Sequence, residues 1–331
     1  MLLSKISLIR KSLRWVLIWK SWPVFSWIKA AEAYSNADYP VAESLYEQGL
    51  KEYPEHPARF CAVMDLAYCY FKAKKFDQAI EKLNYVIRTL PTSKEAYLRL
   101  AYVYIWIGDD SEAMWLLRNA LRKFDNDFHL VHLFVACLIE ANAPAYLVDE
   151  ASDLLDQVSS SSKNSKLAIG ATKAMMEDYR QSSSETLRKL VRLSSRPGAP
   201  LAAKLQVAKR FIELEEFEKA RLHLNSALKI SAEYPQTLSL LAQTYFLEDL
   251  DNEQNVEYAN QLATAAAQSS AWLSPRELHI LAEVYHHFGD KSSALLLASK
   301  AQGINLKRSD AYLYTNKLDE FVDSLASGTL S

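Results

Sequence analysis

Apolar residues along this chain fall three or four apart rather than two apart, a spacing that predicts amphipathic helices rather than strands. A second pattern overlies the first: Ala67 and Ala79, Ala101 and Ala113, Ala208 and Ala220, and Ala282 and Ala294 are each twelve apart. Between the two clearest stretches, Leu66/Leu100, Ala67/Ala101, Tyr70/Tyr104, Ala79/Ala113, Leu83/Leu117 and Ile87/Leu121 all differ by thirty-four. A period of that size marks stacked supersecondary units, here two helices each, with paired alanines letting the two backbones approach closely. Gly108 and Gly289 stand where a first helix must stop and turn, and Pro54 and Pro91 where a second helix ends. The pattern predicts an all-α superhelix of seven or eight helix pairs, from near Trp27 to about Gly303. A terminal helix over Asp310 to Ala326 closes it, capping the core with Tyr312, Leu313, Leu318, Phe321, Val322 and Leu325.

Leu66, Ala67, Tyr70, Phe76, Ala79, Leu83 and Pro91, and again Leu100, Ala101, Tyr104, Gly108, Ala113, Leu117 and Ala120, resemble the signature of the tetratricopeptide repeat family. Ala208, Phe217, Ala220, Leu224, Ala227 and Leu228 fit it, as do Leu281, Ala282, Tyr285, Gly289, Ala294 and Ala301. An earlier unit at Ala30, Tyr39, Ala42, Tyr46, Leu50 and Pro54 keeps the spacing, but Gly49 replaces an alanine. Another, around Leu241, Ala242 and Tyr245, resumes at Ala259, seventeen beyond Ala242, so DLDNEQ lengthens its turn. Two stretches, Phe128 to Val158 and Lys166 to Ser195, are long enough for helix pairs but lack the alanines. They read either as degenerate repeats continuing the superhelix or as a hinge, with Ser159–Ser165 and Ser194–Pro200 as the flexible points. The expected organisation is 1–28 a basic amphipathic helix, 29–127 a first repeat array, 128–199 degenerate repeats, 200–308 a second array, and 309–331 a capping helix and tail.

Seven glycines and 50% hydrophobic residues in 331 suit packed helices. The three cysteines, Cys61, Cys69 and Cys137, form no CxxC pair and favour a reducing compartment. Charge changes the picture more. The net charge of −2 hides a split, because residues 1–31 hold Lys5, Arg10, Lys11, Arg14, Lys20 and Lys29 with no acid, while the remainder carries 32 basic and 40 acidic residues. Four of the seven tryptophans, Trp15, Trp19, Trp22 and Trp27, lie in the same stretch. Its apolar positions gather on one side of a helical projection, although Lys20 falls within that side. Such a segment suits a helix lying in a membrane interface, with indole rings at headgroup depth and cations on anionic lipid. It is too short to span and has no secretory cleavage site. The expectation is peripheral attachment at the cytoplasmic side of a membrane. The alternatives are docking in a repeat groove of this chain or of a partner, and organelle targeting. The acidic body disfavours nucleic acid.

The repeat resemblance implies that partners bind a concave face lined by first helices. In the first array that face includes Tyr34, Cys61, Met64, Tyr68, Phe71, Leu98, Tyr102 and Ile105, an aromatic groove for an amphipathic or extended apolar segment. In the second it includes Lys209, Gln236, Gln243, Arg276, His279, Glu283 and His286, a polar lining suited to a different partner. The competing reading is that neighbouring helices or the N-terminal segment cover these side chains as ordinary core. Repeat co-chaperones capture acidic tails with a clamp of Lys, Arg and Asn. Only Arg99 stands at such a place here, beside Met64, Asp65 and Tyr68, which supply neither cation nor amide. In layout the chain resembles bacterial envelope-assembly proteins that join a short membrane anchor to cytoplasmic repeats.

Catalytic candidates are thin. His279, Glu283, His286 and His287 form HxxxExxHH on one predicted helix, but that helix already uses Ala282 and Tyr285 for packing, so a polar lining is the expected role rather than metal ligation. His129 and His132 form a similar pair, and the acidic run Asp149, Glu150, Asp153 and Asp156 reads as a solvated helix face. No phosphate loop, nucleophile elbow or HExxH motif is present. The sequence therefore predicts neither enzyme, cofactor, metal nor small-molecule substrate, but a non-catalytic interaction scaffold or assembly factor. The repeat register makes one prediction: Ala101→Leu overpacks a helix crossing and costs about 1–3 kcal/mol in a thermal melt, whereas a neutral result contradicts the register.

Overall fold

A computed structural model of the chain describes residues 24–125, 127–141, 143–158, 163–248, 252–308, 312 and 314–327. Among them are seventeen helices and no strand, the all-α superhelix expected from the pattern. They form eight consecutive pairs and a single last helix. The pairs are α1 (Phe25–Ser35) with α2 (Tyr39–Glu52), α3 (Arg59–Lys72) with α4 (Phe76–Thr89), α5 (Lys94–Trp106) with α6 (Asp110–Leu121), and α7 (Phe128–Glu140) with α8 (Ala145–Gln157). They continue as α9 (Lys163–Gln181) with α10 (Ser184–Ser194), α11 (Leu201–Glu213) with α12 (Phe217–Leu228), α13 (Pro235–Glu248) with α14 (Glu253–Ser269), and α15 (Pro275–His287) with α16 (Lys291–Lys307). The last helix is α17 (Thr315–Ser327). First helices begin at residues 25, 59, 94, 128 and 163, steps of 34 or 35 residues, and then at 201, 235 and 275, steps of 38, 34 and 40.

The chain divides into two compact units, Met1–Val103 and Tyr104–Ser331, with the boundary inside α5.

A recurrent backbone bond builds the turn in at least five of the eight pairs. The N–H groups of Asp38, Lys75, Asp109, Glu216 and Asp290 each donate to the carbonyl five residues earlier, at 2.8–3.1 Å. The preceding residue is left-handed in every case: Ala37, Lys74, Gly108, Glu215 and Gly289, with φ from 57° to 79°. This is the helix-stop bond that satisfies the last carbonyls of a first helix. Glycine adopts the conformation freely, while Ala37, Lys74 and Glu215 adopt it at about 1 kcal/mol each. Asp38, Asp109 and Asp290 then cap the second helix, each accepting a backbone N–H from its first turn at 3.0–3.4 Å.

In unit 1 the glycine at position 49 has a specific cause. Trp27 on α1 is 2% exposed, its indole N–H donates to the Tyr46 carbonyl at 3.4 Å, and a β-carbon on Gly49 would run into the indole ring. The His56 ring meets the indole edge-on at 5.3 Å between centroids. Trp27, expected to serve the membrane-binding segment, is instead core of the first pair, because α2 offers it a slot with no side chain. Lys5, Arg10, Lys11, Arg14, Trp15, Trp19, Lys20 and Trp22 lie outside the described residues.

In unit 2 the alanines at 113, 208, 220, 282 and 294 are all fully buried. The region without the alanine pattern packs through larger side chains. Val135 and Leu147, fully buried and again twelve apart, stand one period after Ala101 and Ala113. Helix α7 is buried almost all round, with Leu130, Val131, Phe134, Val135, Cys137 and Leu138 at or below 1% exposure, so it shows no single apolar stripe. The acidic run on α8 lies on a solvated face, with the Asp149 and Asp156 side chains each 75% exposed, and it also forms ion pairs. Asp149 pairs with Arg180 at 2.6 Å, Glu150 with Arg118 at 2.8 Å and Asp156 with Lys173 at 2.6 Å, tying α8 to its neighbours. Bonds also cross the segment 194–200 expected to bend. Lys204 Nζ donates to the Ser194 carbonyl at 2.6 Å, and buried Asp178 accepts from Thr186 at 3.1 Å and Gln206 at 3.3 Å. Residues 159–162 and 249–251, the other expected flexible point and the lengthened turn, lie outside the described residues.

At the C-terminal end, α17 lays Leu318 and Leu325 on a core of Leu278, Ala282, Ala294, Ala298 and Ala301, with Tyr312, Phe321 and Val322 around it. It begins five residues later than expected, and Leu313 lies outside the described residues. The fit of Trp27 into α2 predicts that Gly49→Ala lowers stability by about 1–3 kcal/mol. The double variant Gly49→Ala, Trp27→Ala loses much less than the sum of the two single changes, as a thermal-melt cycle can measure.

Candidate partner-binding surface

Unit 1 presents a continuous run of rings on its first-helix side. Tyr34 on α1 stands 5.3 Å from Tyr68 on α3, Tyr39 lies 6.0 Å from Tyr34 and 5.9 Å from Tyr68, and Phe71 continues the run 6.0 Å beyond Tyr68. The helical register produces this, because Tyr68 and Phe71 are one turn apart on α3. All four residues are partly exposed, so the run is not closed core. Burial pushes the Tyr68 hydroxyl up to about 12, with the Tyr39 hydroxyl adding to the shift. These phenols are neutral donors at physiological pH. Tyr102, 51% exposed, lies on α5 of the same unit, and Leu98 is half-buried there.

Two predicted groove residues of unit 1 are committed inward. Met64 packs on the cluster of Val63, Val86 and Ala96. Arg99 is held on three sides: Nη1 donates to the Met64 carbonyl at 2.7 Å and to Asp65 Oδ1 at 3.2 Å, and Nε donates to Glu95 at 3.0 Å. Burial raises the Asp65 carboxyl, and the Arg99 guanidinium works against that shift. Arg99 is therefore the counter-ion of a partly buried acid and not a free cation awaiting an acidic tail. Cys61 is half-buried nearby, its thiol pushed up to about 11 by burial and by Asp65, so it is a poor nucleophile. Ile105 falls beyond the unit boundary, half-buried in unit 2.

Unit 2 departs further from the expected open polar lining. Lys209 pairs with Glu140, and Arg276 pairs with Asp110 at 2.9 Å and reaches Glu140 at 3.9 Å. Burial opposes the Glu140 charge, but Lys209 and Arg276 together hold its carboxyl below the usual range. Gln236 and Glu277 are buried beside them. These residues form an interior charge network, and Phe321 of α17 covers His279 and His286. His279 is 5% exposed, its Nδ1 lies 3.2 Å from the Tyr312 hydroxyl, and Phe321 packs 5.8 Å from both the His279 and His286 rings. Burial drives the His279 imidazole down to about 4, so it is neutral at physiological pH. Glu283 sits 3.9 Å from His279, and Gln243 is half-buried on α13. Lys209, Arg276, His279 and His286 are thus structural rather than open groove residues. Among the described residues no group of three or more His, Cys, Asp or Glu side chains could hold a metal ion.

Sequence reasoning missed the partners of that network, Asp109, Asp110, Glu140 and Arg308, because ion pairs between residues 69 or more apart leave no local signal. It also missed an exposed group on second helices of unit 2. Trp115, 40% exposed, and Tyr146, 56% exposed, flank the Arg118 guanidinium at 5.4 and 5.9 Å, while Glu150 fixes that guanidinium through paired contacts of 2.8–3.1 Å.

Paired helices, at least five of the pairs joined by the same turn bond, define a helical-repeat fold. Residues 70–138 match the tetratricopeptide repeat family. Among solved structures, the chain is similar to the APC/C hetero-tetramer Cut9-Hcn1, with a TM-score of 0.61 and 14% identity over 85% of this chain and 59% of that one. Others are a tetratricopeptide repeat protein from Parabacteroides merdae ATCC 43184 (TM-score 0.40, 12% identity, 90% of this chain and 96% of that one) and yeast Tom70 (0.46, 13%, 92% and 64%). The chain thus spans less than two thirds of the Cut9-Hcn1 and Tom70 chains it matches. No match was found among curated proteins. The chain thus has a helical-repeat fold, with a stretch at residues 70–138 that matches the tetratricopeptide repeat family.

The environment of Arg99 predicts that Arg99→Ala strands the Asp65 carboxylate and destabilises unit 1 by about 2–3 kcal/mol in a denaturant titration. Arg99→Ala, Asp65→Asn recovers most of that loss.

Proposed function

We propose that this protein is a non-catalytic scaffold or assembly factor that binds segments of partner proteins on the aromatic face of unit 1. Residues 1–23 hold it at the cytoplasmic face of a membrane. The observation that carries the reading is the contrast in side-chain commitment. Tyr34, Tyr39, Tyr68 and Phe71 keep exposed ring surface, while the corresponding lining of the last repeats is occupied by its own ion pairs and by α17. Tyrosine and phenylalanine bury large rigid surfaces at little cost in conformational entropy, which is why they dominate binding hot spots. An apolar helix or extended segment with backbone carbonyls for the tyrosine hydroxyls suits such a face.

Membrane attachment draws support from the composition of residues 1–23 and from the start of α1. Phe25 is 73% exposed and Ile28 38% exposed, and Lys29 is exposed beside them. These side chains prolong the apolar and basic character of the preceding segment onto the folded body. No helix among the described residues is long and apolar enough to cross a membrane, so the attachment proposed is peripheral.

Two measurements test this. Cross-linking mass spectrometry on the full-length protein in its native membrane identifies partners, and Tyr68→Ala with Phe71→Ala is expected to weaken the partner so found at least tenfold with the melting profile of unit 2 unchanged. Undiminished affinity moves the binding site elsewhere. Separately, deletion of residues 1–23, which spares Trp27, abolishes co-sedimentation with vesicles containing about 30% phosphatidylglycerol. If the truncated protein instead shows higher partner affinity and unchanged fractionation, the segment is a groove-docked regulator and not an anchor.

A further inference from the structure

Within unit 2 the beginning of the chain path meets its end. The Trp106 indole N–H donates to the Ser269 carbonyl at 2.9 Å, and its ring meets Tyr234 edge-on at 5.5 Å. Arg308, at the end of α16, donates from Nη1 to the Ile107 carbonyl at 3.0 Å and from Nε to Asp109 at 3.0 Å. Arg276 on α15 closes on Asp110 at 2.9 Å. Gly108, held left-handed between them, lies so near Ser274 that any β-carbon there would collide with the serine side chain. The turn 106–110 is thus clasped by elements more than 160 residues later in the chain.

Among the described residues the clasp carries an unbalanced charge. Asp109, Asp110, Glu140 and Glu277 face Lys209, Arg276 and Arg308, four carboxylates against three cations. An uncompensated carboxylate is costly to bury, and a proton is the cheapest remedy. Asp110 is the group to take it. It faces Arg276 and Glu277 on α15, Glu140 and Cys137 on α7, Lys209 on α11, Tyr234 before α13 and Arg308 on α16. Glu140 is served by both Lys209 and Arg276, whereas Asp110 has Arg276 as its direct ion-pair partner.

We propose that this contact is a proton-controlled clasp: unit 2 closes with a proton on the Asp110 carboxyl and opens between the 106–110 turn and α14–α16 when that proton passes to solvent. The electrostatics agree, since burial, partly offset by Arg276, pushes the Asp110 carboxyl up to about 7. In an opened clasp the group returns to its ordinary value of about 4. The closed form therefore takes up a proton between those values, is favoured as pH falls, and loses that advantage as pH rises to about 7.

Hydrogen exchange of the full-length protein, corrected for intrinsic rates, tests the clasp on peptides covering 104–112 and 268–278, with an α7 peptide as the control for global unfolding. The opening constant of the clasp peptides is expected to rise about fiftyfold from pH 5 to 7 and to level off above, with the α7 peptide unaffected. Asp110→Asn should flatten that dependence. Arg308→Ala, which leaves Asp110 intact, should raise opening at every pH and retain the slope. A wild-type profile without slope, an equal slope in Asp110→Asn, an α7 peptide that moves in step, or an Arg308→Ala profile identical to wild type overturns the proposal. If Asp110→Asn does not fold, the wild-type and Arg308→Ala series decide it.

Discussion

Two helices can cross closely only where the side chains between them are small, and everything else in this chain is arranged around that limit. Helix axes in ordinary packing lie about 8–10 Å apart, a separation set by the residues at the contact. Alanine at matching places on both helices of a pair favours the short end of that range. The turn between them is then too tight for an unconstrained loop, and the left-handed residue with its bond five residues back becomes the way to close it. Ala37, Lys74 and Glu215 accept a strained backbone because the crossing leaves them no alternative. Where the turn is shared, the pairs take a similar shape, and the first four steps are 34 or 35 residues.

Fold class, pair count and the terminal cap were all legible in the sequence because each rests on local spacing. The stretch from residue 128 to 195 was less so, for a physical reason. Helix α7 lies in the middle of unit 2 and is buried on nearly every side, so it has no polar face to set a phase. Val135 and Leu147 fill the crossing that alanines mark elsewhere, which keeps the step but hides the signature. Gly49 looked like a departure from the pattern and proves to be the socket for Trp27, which a reading of charge and aromatic content had assigned to a lipid surface. Composition of a segment does not reveal where its boundary with the folded body falls.

The candidate site divides along the same line. Tyr34, Tyr68 and Phe71 could be found from helical register alone, since a ring at the outer position of a first helix stays outward unless something later in the chain covers it. The polar residues near the C-terminal end met that exception. Lys209 and Arg276 read as an open lining, yet their acids come from α6 and α7, and His279 and His286 lie under Phe321 of α17. Pairing across such distances is a property of the assembled superhelix. No window of sequence holds both partners.

The Trp27 socket has a mechanical side. Val24 and Trp27 are both buried, and Trp27 is wedged against a helix with no side chain at the point of contact. A load applied at the start of α1 therefore meets a wedged ring within one helical turn, so α1 cannot rotate about its own axis without carrying α2 with it.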